Sequence, residues 1–247
     1  MGLLCGASHR VVTENSRLAM PEISIGLYPD VGGSYFLPRL PGKSGLFLGL
    51  TGGQMNAADA MYVGLADVMV SSAEKENLLQ GLVDYAWNET SSSTLTEAVN
   101  TVLSRLQKPE TEVQSNIGPN MPLINELCSA NNVSEVVNAI LTADMQGDKW
   151  LSRAQSTLAK GSPITMHLVF EQCKKGATMS LADCFRMEAD MSCRCGESGE
   201  FQEGVRALLI DKDRNPAWKY SASREIPSAV LDSFFVAPWD KNPLADL

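Results

Sequence analysis

The sequence predicts an α/β protein that begins with short strands and turns over residues 1–71 and continues as a large helical region over residues 72–247. Its composition changes near residue 71. Before that point glycine and proline are dense and apolar runs are short, whereas later segments carry apolar residues at helical spacing. With 247 residues, of which 44% are hydrophobic and 20% charged, the chain is long enough to bury a core.

Three short apolar runs in the first part predict strands: "RVV" at 10–12, "ISIGLY" at 23–28 and "VGLADVMV" at 63–70. A helix is predicted between the second and third runs, across "GKSGLFLGLTG". Its apolar residues Leu46, Phe47 and Leu50 recur at helical spacing. Alternation of such strands and helices is typical of an α/β core.

The second part contains a series of helix signals. Ser71 with Glu74 three residues later forms a capping box before "KENLLQGLVDYAW". Ser162 followed by Pro163 is the preferred order at a helix start, and Gly176 is a typical end.

Two further helices are predicted towards the end of the chain. The first begins at Ser180 and carries an apolar stripe of Leu181, Cys184, Met187 and Met191. A stripe of this kind is more often core or subunit interface than a cofactor site. The second is "EFQEGVRALLIDKD", which we expect Asn215-Pro216 to stop.

Charge and cysteine content exclude several classes of function. The net charge of −9 argues against nucleic-acid binding, which needs a basic surface. No apolar run approaches a membrane span, and the first residues lack the features of an export signal. Six scattered cysteines favour reduced thiols in the cytoplasm, or in the mitochondrial matrix if the source is eukaryotic. We therefore expect neither a nucleic-acid nor a membrane partner.

The stretch "MPEISIGLYPDVGGSYFLPRL" places two carboxylates, Glu22 and Asp30, in apolar sequence. The prolines and glycines around them exclude one continuous helix, so both acids lie on a turning path where they could converge on one cavity. The alternative is that Asp30 caps the next helix while Glu22 pairs with Arg39 or Arg17. On the residues alone this alternative is favoured, because Pro-Asp before Gly is common in turns.

The wider pattern changes that balance. Residues 19–70, "AMPEISIGLYPDVGGSYFLPRLPGKSGLFLGLTGGQMNAADAMYVGLADVMV", and residues 201–219, "FQEGVRALLIDKDRNPAWK", resemble the enoyl-CoA hydratase/isomerase (crotonase) superfamily. They are most similar to its 3-hydroxyisobutyryl-CoA hydrolase branch. The resemblance implies a crotonase-like α/β fold, incomplete at the N-terminus, with a large C-terminal helical region. Because such helices pack on the core or on a neighbouring subunit in related proteins, it also allows a homo-oligomer.

Two competing activities of the superfamily can be compared at the same positions. Hydratases carry two catalytic glutamates; the second matches Glu22, but the first falls at Gly2, so the water-adding pair is incomplete. Dienoyl-CoA isomerases resemble this chain in having an acid at the position of Asp30. The segments "PDVGGSYFLPRLPGKSG" and "EGVRALLIDKDRNPAW" favour the hydrolase branch over both.

By this resemblance the chain is an enzyme that hydrolyses the thioester of 3-hydroxyisobutyryl-CoA in valine breakdown. Glu22 would attack the thioester carbonyl or activate water, and Asp30 would bind the 3-hydroxyl and act as the acid. Two adjacent carboxyl groups in an apolar site have their pKa values pushed apart, which suits this division of roles. The partner is the acyl-CoA substrate, and no metal or cofactor is expected, since CoA belongs to the substrate.

The resemblance begins inside a glycine-rich segment whose tail is matched by Met1-Gly2-Leu3. The backbone N–H groups of the oxyanion hole, and about a third of a complete enzyme, would precede Met1. We therefore expect a fragment without normal activity. A non-catalytic protein that keeps the scaffold for assembly is the alternative from another class of function.

Overall fold

The computed structural model describes residues 1–87 and 92–247. These residues form two compact units. Unit 1 comprises residues 1, 3–18 and 55–119, and unit 2 comprises residues 2, 19–54 and 120–247. Each unit combines segments from both sides of residue 71, where the composition changes.

Thirteen α-helices and two strands are found among the described residues. The strands are β1 (Val11–Thr13) and β2 (Val68–Val70). The helices are α1 (Gly2–Cys5), α2 (Gly33–Phe36), α3 (Ser44–Thr51), α4 (Ala57–Tyr62), α5 (Lys75–Val83), α6 (Ser92–Leu103), α7 (Ile117–Leu127), α8 (Val133–Thr142), α9 (Lys149–Lys160), α10 (Pro163–Gly176), α11 (Leu181–Ser198), α12 (Glu200–Val205) and α13 (Ser228–Ser233).

Unit 1 contains the paired strands. β1 and β2 run parallel with Val11 opposite Val68 and Thr13 opposite Val70. Beside them, the guanidinium of Arg10 donates from Nε to the carboxylate of Asp67 at 2.9 Å. The predicted strands at 10–12 and 63–70 are thus confirmed in part, since only the last three residues of the second run are extended.

A buried carboxylate organises a loop in unit 1. Asn56 caps α4 through its side chain, which accepts the N–H of Asp59 at 2.9 Å. The carboxylate of Asp59 accepts the backbone N–H groups of Asn116 at 2.6 Å and Ile117 at 2.8 Å. Because Asp59 is fully buried, these bonds replace the water that its charge has lost.

Unit 2 is built around α10 and α11, and its helix starts follow the sequence signals. Ser162 caps α10 by accepting the N–H of Thr165 at 3.2 Å, Pro163 is the first helical residue, and the helix ends at Gly176 as predicted. The absence of a side chain at Gly176 is required, because a Cβ there would lie 1.8 Å from the carbonyl oxygen of Ser34.

The apolar stripe of α11 packs in the core of unit 2. Ser180 caps this helix, as expected, by accepting the N–H of Asp183 at 3.1 Å. Cys184, Met187 and Met191 are buried, whereas Leu181 is 47% exposed and lies outside the core. Of these, Met187 and Met191 pack with Tyr28, Ile164 and Leu168.

Four local predictions need correction. The run 23–28 is not a strand: Glu22–Ile25 form a 3-10 turn that Gly26 ends in the left-handed conformation. Helix α4 lies within sequence that gave no helix prediction. The last strong helix passes into a π-helical turn, Arg206–Ile210, and ends before Asn215-Pro216. At Ser71 the side chain accepts from Ala73 rather than closing a capping box with Glu74. A 3-10 turn, Ser72–Glu74, therefore precedes α5.

Candidate active site

Both predicted site residues lie on the path from Met20 to α2 in unit 2. Pro21 precedes the 3-10 turn that starts at Glu22, and Gly26 reverses the chain with φ of 67°. A side chain at Gly26 would meet the carbonyl oxygen of Glu200 at 2.5 Å, so the two segments approach closely here. The path then passes through a buried Tyr28 to Asp30.

Glu22 is largely removed from water without being neutralised by a partner. Its Oε2 atom is buried and accepts no hydrogen bond from the residues that the structure describes. Burial, together with a smaller effect of the negative charge of Asp30, raises the pKa of this carboxyl to about 7. The carboxyl is therefore poised to exchange a proton near neutral pH.

Asp30 lies where the chain turns into α2, but its side chain does not cap that helix. The residue at the cap position is Gly32, with φ of 90°, and only the backbone oxygen of Asp30 participates, by accepting the N–H of Gly33 at 2.9 Å. Burial raises the pKa of the Asp30 carboxyl. The helix-capping alternative for Asp30 is thus wrong.

The proposed surface partners of Glu22 are occupied elsewhere. Arg39 donates to the backbone oxygens of Gly176 at 2.8 Å and Met179 at 2.9 Å, and its guanidinium lies 3.7 Å from the centre of the Tyr35 ring. Arg17 donates to the backbone oxygens of Glu14 and Ser16. Both arginines thus bind backbone oxygens, those of neighbouring residues for Arg17 and those of a distant segment for Arg39.

The loop that carries Asp30 is attached to α10 and α11 by side chains that the sequence analysis did not single out. Gln172 on α10 donates to the backbone oxygen of Pro29 at 3.0 Å. On α11, Glu188 accepts the N–H of Gly32 at 2.8 Å and that of Ser34 at 2.9 Å. The sequence did contain one signal that could have identified Glu188, namely its position on the same helix face as Cys184 and Met191.

Gly2 lies against the same loop. A Cβ at Gly2 would be 2.5 Å from the backbone oxygen of Val31 and 2.9 Å from its Cβ. The position that matches the first glutamate of a hydratase therefore adjoins the residue after Asp30 and has no room for a side chain.

Other nucleophilic or titratable groups lack a suitable setting. Burial raises the pKa of Cys128, Cys173 and Cys195 to about 12 each, which keeps these thiols neutral. His167 contacts the backbone oxygen of Ser223 at 3.1 Å, and burial lowers its pKa. Neither group resembles a nucleophile with its base.

Comparison with known proteins places the chain in a family. The sequence model of the family described as enoyl-CoA hydratase/isomerase matches residues 1–235. The chain belongs to the enoyl-CoA hydratase/isomerase family. Similar family members include proteins named mitochondrial 3-hydroxyisobutyryl-CoA hydrolase from Xenopus laevis, 38% identical over 96% of this chain, and from Danio rerio, 38% identical over 95%. The chain spans 60% of the length of each.

Solved structures of the enoyl-CoA hydratase/isomerase family confirm the crotonase-like fold. A carnitinyl-CoA dehydratase from Mycobacterium thermoresistibile is 30% identical, with a TM-score of 0.81 over 98% of this chain and 65% of its own. An enoyl-CoA hydratase from Rhodobacter sphaeroides is 28% identical, with a TM-score of 0.75 over 95% of this chain and 63% of its own. Across residues 1–87 and 92–247, no helix has the length and apolar character needed to span a bilayer.

Proposed function

We propose that the site hydrolyses an acyl-CoA thioester, with 3-hydroxyisobutyryl-CoA as the substrate. The observation that carries the proposal is Glu22, whose buried Oε2 has no hydrogen-bond partner among the described residues and whose pKa is raised to about 7. A structural carboxylate at this depth would have its oxygens satisfied. An oxygen left without a partner is available to a substrate or to water.

In the proposed reaction the ionised carboxylate of Glu22 attacks the thioester carbonyl. The C–S bond breaks, CoA leaves as the thiolate, and an acyl-enzyme anhydride forms. Water then attacks the anhydride and gives one proton to Asp30, which has by then protonated the CoA thiolate, so that the acid is released and the Glu22 carboxylate is restored. The same group can instead remove a proton from water that attacks the thioester directly, and both routes need Glu22 ionised.

Asp30 supplies the second function of the pair. Burial raises its pKa, which favours the protonated form that can donate to the departing sulfur. The same carboxyl would bind the 3-hydroxyl of the acyl group. A metal or cofactor has no part in these steps.

The choice of hydrolysis over hydration rests on Gly2. A hydratase needs a second glutamate there, whereas the backbone of Val31 fills the space that its side chain would need. The names of the relatives from frog and zebrafish support the 3-hydroxyisobutyryl group and a mitochondrial matrix location. A homo-oligomer stays a prediction, as does the alternative of a non-catalytic scaffold.

The test is release of free thiol from 3-hydroxyisobutyryl-CoA by the purified chain, alongside Glu22→Gln and Asp30→Asn. We expect weak thiol release from the wild type and its loss in both variants. Glu197→Gln is the matched control, because this carboxylate is exposed and pairs with Arg194 away from the candidate site. Hydration of crotonyl-CoA without thiol release would instead indicate a hydratase. Turnover of neither substrate would support the non-catalytic scaffold.

A further inference from the structure

Glu188 is a carboxylate next to the candidate site whose two oxygens both accept hydrogen bonds. Its side chain is 4% exposed, on the face of α11 that packs in the core of unit 2. Its two oxygens divide their bonds: Oε2 accepts from Gly32 and Oε1 accepts from Ser34. Both donors lie just after Asp30, Gly32 at the cap position of α2 and Ser34 in its first turn, so these backbone N–H groups stabilise the buried charge.

The loop adopts a conformation that needs external support. Val31 has φ of 49° and Gly32 has φ of 90°, so two successive residues are left-handed. A β-branched residue such as valine rarely adopts this conformation, and the surrounding structure must hold it there. The bonds to Glu188 hold the backbone directly after the strained residue.

Two further bonds hold the loop before Asp30. The hydroxyl of Tyr28 donates to the backbone oxygen of Glu188 at 2.6 Å. The side chain of Gln172 donates to the backbone oxygen of Pro29 at 3.0 Å. Asp30 is therefore bracketed by residues whose backbones are bonded to α10 and α11, and on its C-terminal side the Glu188 carboxylate accepts from Gly32 and Ser34.

We propose that Glu188 is a positioning residue, which sets the direction of the Asp30 carboxyl by fixing the N–H groups of Gly32 and Ser34. The proposal rests on the hydrolysis described above. Glu188 does not contact the acyl group; it acts on the reaction through the loop. A small displacement of a catalytic group is enough to lower a rate substantially.

Glu188→Gln tests this directly, because one acceptor oxygen becomes an NH₂ group that faces a backbone N–H. We expect kcat for 3-hydroxyisobutyryl-CoA hydrolysis to fall by about 10- to 100-fold, with KM changed by less than about threefold. Glu188→Asp keeps both acceptor oxygens on a shorter stem and should retain more of kcat than the glutamine variant.

The matched control is Asp59→Asn. Asp59 is also a buried carboxylate that accepts two backbone N–H groups of a loop, but that loop is in unit 1. Rates are expressed per folded molecule, measured by near-ultraviolet circular dichroism. Equal changes of kcat in Glu188→Gln and Asp59→Asn would overturn the proposal, since both would then report general destabilisation.

A second measurement does not depend on turnover. In NMR spectra of the ¹³C,¹⁵N-labelled chain, we expect Glu188→Gln to shift the amide protons of Gly32 and Ser34 and the carboxyl carbon of Asp30, and Asp59→Asn to leave all three in place. If the wild type releases no thiol, hydrolysis by this chain is refuted and these spectra decide the positioning alone. An unmoved Asp30 carboxyl signal in Glu188→Gln would then overturn it.

Discussion

Glu22 and Glu188 are two carboxylates of the same unit, one half-buried and one buried, that have opposite hydrogen-bonding environments. Both have their pKa raised by burial. Glu188 uses both oxygens to accept backbone N–H groups, whereas Oε2 of Glu22 is left without a partner among the described residues. Burial alone therefore does not distinguish a structural acid from a reactive one. The hydrogen bonds do, because they lower the free energy of one carboxylate and leave the other available for chemistry.

The largest expected difference between the two acids is in catalysis. Glu22→Gln removes the attacking oxygen, and we expect thiol release to fall by about 1,000-fold or more. The variant should fold normally, because glutamine has nearly the same shape. Stopped-flow detection of free CoA measures the change. Activity within tenfold of wild type would show that Glu22 is not the catalytic group. The proposed contrast between a reactive Glu22 and a structural Glu188 would then be wrong.

For stability we expect the opposite order, with a larger loss of unfolding free energy when Glu188 is changed than when Glu22 is changed. Glu188→Gln leaves a backbone N–H of the loop facing another donor, so we expect the free energy of unfolding to fall by about 2 to 4 kcal/mol. Urea unfolding at pH 8 measures the loss. Glu22→Gln is the paired control and should be no less stable than wild type, because it removes a buried charge that lacks full bonding. Equal losses in both would contradict the distinction.

The pH dependence of stability isolates Glu22. Its pKa is about 7 in the folded chain against an ordinary value of 4.5, so the folded state binds more protons between these values. Stability from this group is therefore present below pH 4.5 and lost as pH rises through 7. We expect a loss of about 1 to 3 kcal/mol across this window. Subtracting the profile of Glu22→Gln from that of wild type should reveal it, and identical profiles would show an ordinary pKa.

The smallest effect is expected at an exposed acid. Glu197 pairs with Arg194 at 2.8 Å, but its side chain is 56% exposed. Because water screens such pairs, Glu197→Gln should change the free energy of unfolding by less than about 0.5 kcal/mol. Urea unfolding beside Glu188→Gln gives the contrast in one experiment. A loss as large as that of Glu188→Gln would show that burial does not explain the difference in unfolding free energy between the two variants.

The sequence predicted the parts of this molecule that depend on local chemistry. The cap and proline at Ser162-Pro163, the glycine at the end of α10 and the start of α11 were all visible as short-range signals. The turn at Glu22 was not, because its apolar residues alternate as in a strand. Its shape is instead set by the close approach of Gly26 to Glu200, which lies far along the chain.

The candidate site was predictable in its acids and not in its supports. Glu22 and Asp30 lie in one short stretch and were found together by their resemblance to a family. Gln172 and Glu188 support that stretch from 143 and 156 residues away. Their partners are backbone groups, which carry no residue-specific signal in the sequence. These contacts can therefore be recognised only in the tertiary structure.

The parallel pairing of β1 with β2 has a consequence for how the chain folds. Arg10 and Asp67, which join beside these strands, are 57 positions apart in the sequence. Closing so long a loop lowers the entropy of the chain before the few strand hydrogen bonds can compensate. The capped helices need only neighbouring residues and should form first. We therefore expect this small sheet to be among the last elements to become protected from hydrogen exchange during refolding.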